Sequence, residues 1–129
     1  MTAAVLDASA VLALLRREPG DTEAAEALIA GATISTVNLA EVATVLTRRG
    51  GDSRKLLEPV TAQLDVAEFT LTDAYAAAEL YPATRSAGLS LGDRVCLVLA
   101  ERLDAPALTT DRAWLELDLE AKVHCIRPN

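Results

Sequence analysis

The chain has 129 residues, of which 51% are apolar and 24% charged. That balance excludes a disordered chain and one that needs disulfides or a structural metal to hold a core. Only 3% of residues are aromatic, so Ala, Leu and Val must build the core. The formal net charge of −7 lacks the Lys and Arg excess that normally supplies phosphate binding, so any nucleic-acid partner has to be argued from where the charges sit.

No repeat, low-complexity tract or linker divides the chain, and residues 1–129 are expected to form one domain. Residues 3–6 read as a buried strand, followed by a helix over 9–17 that Pro19-Gly20 closes. A second helix over 22–30 ends at Gly31. The β-branched run 33–37 reads as a strand, and a helix over 39–49 stops at Gly50-Gly51. A helix over 53–64 is expected to kink or split at Pro59. Residues 66–70 form a strand, and 73–85 a helix that Pro82 interrupts. The clearest helix spans 91–103, with Val95, Cys96, Leu97, Leu99 and Leu103 as its apolar positions. A strand over 107–109, a short helical piece over 112–117 and a strand over 123–126 complete the chain. Strands alternating with helices indicate βαβ units. The expected fold class is α/β, a three-layer sandwich around a mostly parallel sheet of about five short strands.

Cys96 and Cys125 stand in apolar surroundings without metal-site spacing and read as buried thiols. The opening Met1-Thr2-Ala3-Ala4-Val5-Leu6 lacks a basic start and is interrupted by Asp7, unlike a signal peptide. No apolar run approaches the roughly 20 residues of a membrane span. A cytoplasmic protein is expected.

Four carboxylates occupy equivalent places in the pattern. Asp7 ends the first strand, Glu41 and Asp93 each lie one turn into a helix, and Asp111 follows the fourth strand. In open parallel sheets, ligands bind at the carboxyl ends of the strands, the edge these four share. Each acid also has a capping reading. Asn38-x-x-Glu41 and Ser90-x-x-Asp93 have capping-box spacing, and Asp7 and Asp111 are placed to cap the helices that follow them. Capping alone leaves the buried position of Asp7 unexplained, since a buried carboxylate is costly unless paired. Four crowded acids need a counter-charge. With no His or Cys cluster for zinc, a hard cation such as Mg²⁺, with Mn²⁺ as a substitute, suits the donors. Such a site, with phosphate as a further ligand, serves phosphodiester chemistry.

The segments Val5-Leu6-Asp7-Ala8-Ser9-Ala10, Ile34-Ser35-Thr36-Val37-Asn38-Leu39-Ala40-Glu41-Val42, Leu89-Ser90-Leu91-Gly92-Asp93-Arg94-Val95-Cys96-Leu97 and Leu108-Thr109-Thr110-Asp111-Arg112-Ala113-Trp114, in this order and spacing, resemble the PIN-domain ribonucleases. Within that family they resemble the VapC-like toxins of toxin–antitoxin pairs. The resemblance covers essentially the whole chain. It implies that Asp7, Glu41, Asp93 and Asp111 hold one or two Mg²⁺ ions as catalytic acids. Ser9, Asn38 and Thr109 would be supporting polar residues. It further implies endoribonuclease activity leaving a 5′-phosphate and a 3′-hydroxyl, RNA as substrate, a cognate antitoxin with a DNA-binding end and an inhibitory tail, and a homodimer.

Arg94 and Arg112 each follow a proposed ligand, where they either reach RNA phosphate or pair with neighbouring acids. Arg48, Arg49, Arg54 and Lys55 form the densest basic stretch, read first as a solvated face and second as an RNA contact. Trp114 and His124 read as structural. Two rival functions remain at this level. A phosphatase or phospho-acceptor domain also gathers acids at a sheet edge, but Asp7-Ala8-Ser9 lacks the second acid of an Asp-x-Asp motif. A non-catalytic binding module would use the acids only as helix caps.

Overall fold

The computed structural model describes residues 3–127, so Met1 and Thr2 of the opening run, and the ends of the expected 1–129 unit, lie outside the described residues. Five parallel strands form one sheet in the order β3-β2-β1-β4-β5. They are β1 (Val5–Leu6), β2 (Thr33–Ser35), β3 (Asp65–Ala67), β4 (Ala107–Thr109) and β5 (Val123–Cys125). The connecting helices are α1 (Ala8–Arg16), α2 (Asp21–Ile29), α3 (Thr36–Arg48), α4 (Ser53–Thr61), α5 (Leu71–Glu79), α6 (Tyr81–Thr84) and α7 (Leu91–Leu103). Two 3₁₀ turns, Arg85–Ala87 and Arg112–Glu116, complete the regular structure of the described residues. The α/β sandwich expected from the alternation is the observed fold.

Strand residues alternate between the two helical layers, as the two-residue period of a strand requires. Leu6, Ile34 and Leu108 pack with Val11, Ala24, Leu28, Val42 and Leu57 of α1 to α4. Val5 and Ala107 point to the other face, against Cys96, Leu97, Leu99 and Ala100 of α7 and Trp114. Leu6 and Ile34 are fully buried, and each such side chain contributes about 1.5–3 kcal/mol relative to exposure. The small alanines Ala10, Ala13, Ala24 and Ala77, also fully buried, let thin helices approach the sheet without aromatic filling.

Several boundaries differ from the periodicity, each for a local chemical reason. The second strand stops at Ser35, whose hydroxyl accepts the Val37 N–H at 3.1 Å and so starts α3. The expected capping box at Asn38 and Glu41 is therefore corrected: both residues lie inside the helix that Ser35 caps. The third strand ends at Ala67 instead of residue 70, because Thr70 caps α5 in a reciprocal capping box with Asp73. Asp73 is thus in the first turn of a helix that begins at Leu71. Pro82 falls in the first turn of α6, where a missing N–H costs nothing. Pro59 stays within α4, which ends two residues later at Thr61. No described helix is long and apolar enough to cross a membrane.

Candidate active site

The helices that directly follow a strand, α1, α3 and α5, begin where that strand ends, so their first turns lie at the carboxyl edge of the sheet. The strand order reverses around β1, with β2 on one side and β4 on the other, which makes the end of β1 the topological switch point. Asp7 follows β1 directly at that point.

Asp7 is 3% exposed and is held by three donors. The Ser9 hydroxyl and the Ala10 N–H donate to Oδ1 at 2.7 and 2.8 Å, and the Thr109 hydroxyl donates to Oδ2 at 2.6 Å. Ser9 Oγ in turn accepts the Thr110 N–H at 3.0 Å, and Thr109 Oγ1 accepts the Asp111 N–H at 3.1 Å. One network therefore joins the ends of β1 and β4. Burial raises the Asp7 carboxyl to about 6, against the lowering effect of its three hydrogen bonds, and the charge of Asp93 adds to the rise. Among the described residues no salt bridge reaches it.

Glu41, half-buried in α3, accepts the Asn38 amide on Oε1 at 2.8 Å. Asn38 is 1% exposed and donates also to the Gly92 carbonyl at 2.9 Å, which ties α3 to the first turn of α7. Asp93 is the third residue of α7 and forms the capping box read from the spacing. Its Oδ2 accepts the Ser90 N–H at 2.9 Å, while the Ser90 hydroxyl accepts the Asp93 N–H at 3.2 Å. Burial raises the Asp93 carboxyl; Ser90 opposes the rise, and Asp111 adds to it. Asp111 caps the following 3₁₀ turn, its Oδ1 accepting the Ala113 N–H at 3.0 Å.

Three of the four acids therefore cap, as one of the two readings expected, and Glu41 does not. Capping and ligation do not compete for the same oxygen. Asp93 Oδ1, Asp111 Oδ2 and Glu41 Oε2 accept no hydrogen bond from a described residue, and Asp7 Oδ2 accepts one where a carboxylate oxygen has room for about two. The fully buried Cys96 thiol reports the convergence. Burial pushes it well up, and the charges of Asp7, Asp93 and Glu41 push it further, so the thiol stays neutral between the acids and the core.

A profile of the PIN domain matches residues 4–119. The chain belongs to the PIN-domain family. PIN domains are nuclease-type hydrolases that generally depend on a divalent metal. Solved PIN structures share the fold. VapBC-5 from Mycobacterium tuberculosis, a member of the VapBC family of toxin–antitoxin systems, is 26% identical with a TM-score of 0.65, over 99% of this chain and 100% of that one. VapC20 of the same organism, a Sarcin-Ricin loop cleaving toxin, is 18% identical with a TM-score of 0.71, over 93% and 99%. VapBC2 from Rickettsia felis, bound to a DNA fragment from their promoter, is 15% identical with a TM-score of 0.72, over 94% and 96%. None of the curated proteins matches the chain.

The donors of this PIN domain fit a hard cation. Among the described residues no three His, Cys, Asp or Glu side chains close on a single point, so the acids do not form a ready-made cage. Mg²⁺ does not need one: it keeps several waters and is held by one or two carboxylates with substrate phosphate. The buried, unpaired Asp7 carboxylate and the open oxygens of its neighbours are donors of that kind.

The remaining candidates divide between structure and surface. Arg94 is held by other partners, its Nη1 donating to the Ala77 carbonyl at 2.8 Å and its guanidinium lying 5.4 Å over the Tyr81 ring, while its charge still lowers the Asp93 carboxyl. Arg112 is exposed beside Asp111. Arg48, Arg49, Arg54 and Lys55 are exposed, and the last two line a cavity of about 660 Å³ between α3 and α4 that contains none of the four acids. Trp114 is buried in the core, and exposed His124 pairs with Glu23 at 2.9 Å. Gly92, whose carbonyl Asn38 holds, has no place among the residue types that suggest a site, although a glycine inside a helix's first turn is itself a signal.

Proposed function

We propose that this PIN domain is a Mg²⁺-dependent endoribonuclease, with Mn²⁺ as a substitute, acting in the cytoplasm as the toxin of a toxin–antitoxin pair. The observation that carries the reading is the Asp7 carboxylate: buried at the switch point, fixed by three donors, and without a cation among the described residues. The 26% identity to a VapBC member over the full length of both chains supports the biological role.

Asp7, Glu41, Asp93 and Asp111 would hold the ion through the oxygens their hydrogen bonds leave open. When bound, Mg²⁺ supplies a water of lowered pKa and offsets charge on the scissile phosphate. The protein's own part is orientation. Ser9 and Thr109 fix the Asp7 carboxylate, Asn38 fixes Glu41, and Ser90 fixes Asp93. Arg112, exposed beside Asp111, and Arg94 would meet RNA phosphate. A net charge of −7 weakens general RNA affinity and suits a basic inhibitory tail on the antitoxin. A homodimer of a single domain spanning residues 1–129 completes the proposal.

The test is RNA cleavage by the purified chain with Mg²⁺ or Mn²⁺, with and without EDTA. Cleavage that EDTA abolishes, and that Asp7→Asn and Asp93→Asn both lose while remaining folded, supports the assignment. Undiminished metal-dependent cleavage by both folded variants overturns it, and a chain with no metal response is better read as a binding module.

A further inference from the structure

Gly92 is the second residue of α7, and glycine is among the least favourable residues inside a helix. Its backbone does not require glycine, since the left-handed glycines are Gly20, Gly31, Gly50 and Gly88. What requires it is space. A Cβ built on Gly92 overlaps both carboxylate oxygens of Glu41 and lies 2.5 Å from its Cδ, and these three atoms are the nearest it meets. Backbone and core carbon atoms are not among them. The atoms nearest to the missing side chain therefore all belong to one functional group.

A second contact acts on the same group. Asn38 Nδ2 donates to Glu41 Oε1 and to the Gly92 carbonyl, 2.8 and 2.9 Å away, so one buried amide clamps the carboxylate to the residue that seats it. The Asn38 Oδ1 is buried and accepts no hydrogen bond from a described residue, so the Nδ2 bonds are what orient this amide.

We propose that Gly92 is a positioning residue: its bare Cα is the seat of the Glu41 carboxylate, and Asn38 is the clamp that holds it there. The inference rests on the reading of Glu41 as a metal-binding acid. The atoms a side chain at 92 would strike are the far end of a flexible side chain, so substitution displaces the carboxylate and leaves the fold standing. The effect belongs to function more than to folding.

The test is a cycle of Gly92→Ala, Glu41→Ala and the double variant, with Gly92→Ala/Glu41→Asp as the rescue. Metal-free melting temperature, Mn²⁺ affinity by calorimetry, and cleavage are measured on each. Gly92→Ala is expected to fold and to lose about 10–100-fold in Mn²⁺ affinity and in kcat, the scale seen when a ligand's support is removed or displaced by about 1 Å. In the Glu41→Ala background the same change should raise the metal-free melting temperature by a few degrees, the ordinary gain of alanine over glycine in a helix, and leave Mn²⁺ affinity unmoved. The shorter Glu41→Asp should recover part of the affinity lost in Gly92→Ala. Equal effects of Gly92→Ala in both backgrounds, on melting and on Mn²⁺ affinity, overturn the proposal. The metal-free melting cycle decides the contact even if the wild-type chain proves not to cleave RNA, which would instead refute the proposed activity.

Discussion

The Thr109 hydroxyl donates to Asp7 Oδ2 at 2.6 Å across 102 positions of sequence, while its oxygen accepts the Asp111 N–H at 3.1 Å. One side chain thus commits its only proton to one proposed ligand and a lone pair to the backbone of another. It fastens neighbouring strands together where the sheet order reverses, and its orientation is no longer free.

Thr109→Val keeps the shape and removes that proton. The hydrogen bond lowers the Asp7 carboxyl, so its loss lets burial raise the carboxyl further. Mg²⁺ affinity is expected to fall about 10–100-fold, with Thr109→Ser restoring it. Isothermal titration of the three proteins measures this, and equal affinities would remove Thr109 from the site.

Asp7→Asn separates activity from stability. Cleavage should fall by about 10²–10³-fold or more, the scale of losing one preorganised electrostatic group. Without metal at pH 7.5 the variant should melt higher than wild type, by several degrees, because a buried charge with no cation partner is replaced by a neutral amide. Melting in EDTA checks it, and a lower melting temperature would contradict the picture of an unpaired buried charge.

The pH dependence follows from the same carboxyl. Asp7 is raised from 3.8 to about 6 by burial, so the folded chain binds its proton more tightly than the unfolded chain. Its relative contribution to stability is fully present below pH 3.8 and is lost as pH rises through about 6. The difference in metal-free stability between wild type and Asp7→Asn should therefore open between pH 4 and 7, with wild type losing ground as pH rises. Mg²⁺ needs the ionised form, so the gain in melting temperature from Mg²⁺ should shrink below pH 6. Denaturant titrations at stepped pH, with EDTA or Mg²⁺, read both trends.

Mg²⁺ itself should stabilise the wild-type fold. At 100 times its dissociation constant a ligand adds about 2.7 kcal/mol, a rise of roughly 10 °C for a chain of this size. Addition of EDTA should reverse the rise, and Asp93→Asn should reduce it. A thermal shift with Mg²⁺ that is the same in Asp93→Asn would remove Asp93 from the ligands.

Asp73 provides the contrast. It is buried, completes the α5 capping box and pairs with half-exposed Arg102 at 3.2 Å. Asp73→Ala should cost about 1–2 kcal/mol, as the loss of a cap does, and leave cleavage per folded molecule unchanged. Chemical denaturation beside the cleavage assay tests both halves.

Much of the site was legible because its residues stand at element boundaries. The helix Leu91–Leu103 and the strand Ala107–Thr109 have the extents their patterns indicate, and Ser90-x-x-Asp93 is the capping box its spacing suggests. Asn38-x-x-Glu41 has the same spacing but a different fate. Ser35 pairs with Ala67 in the sheet and caps α3 itself, which leaves the Asn38 amide free to reach Glu41 and Gly92. Spacing alone cannot rank two polar residues three positions apart as caps; the end of the strand ladder does. Arg94 shows what adjacency leaves open. One step along a helix turns a side chain by about 100°, and the Arg94 guanidinium bonds the Ala77 carbonyl while its charge still acts on Asp93. Gly92 drew no notice because an absent side chain carries no chemistry until its neighbour is known.

Alternating strand and helix patterns were enough to set a parallel sheet and to place Asp7, Glu41, Asp93 and Asp111 after strands or in the first turns of helices. Local periodicity encodes which face a residue takes and which end of an element it occupies. It does not encode which strands lie side by side. Folding alone decided the order β3-β2-β1-β4-β5, and that order set Thr109 against Asp7 and Asn38 against Gly92, 54 positions away. Those contacts arise from long-range packing of the two helical layers on the sheet, where burial and hydrogen-bond satisfaction are settled by neighbours distant in sequence.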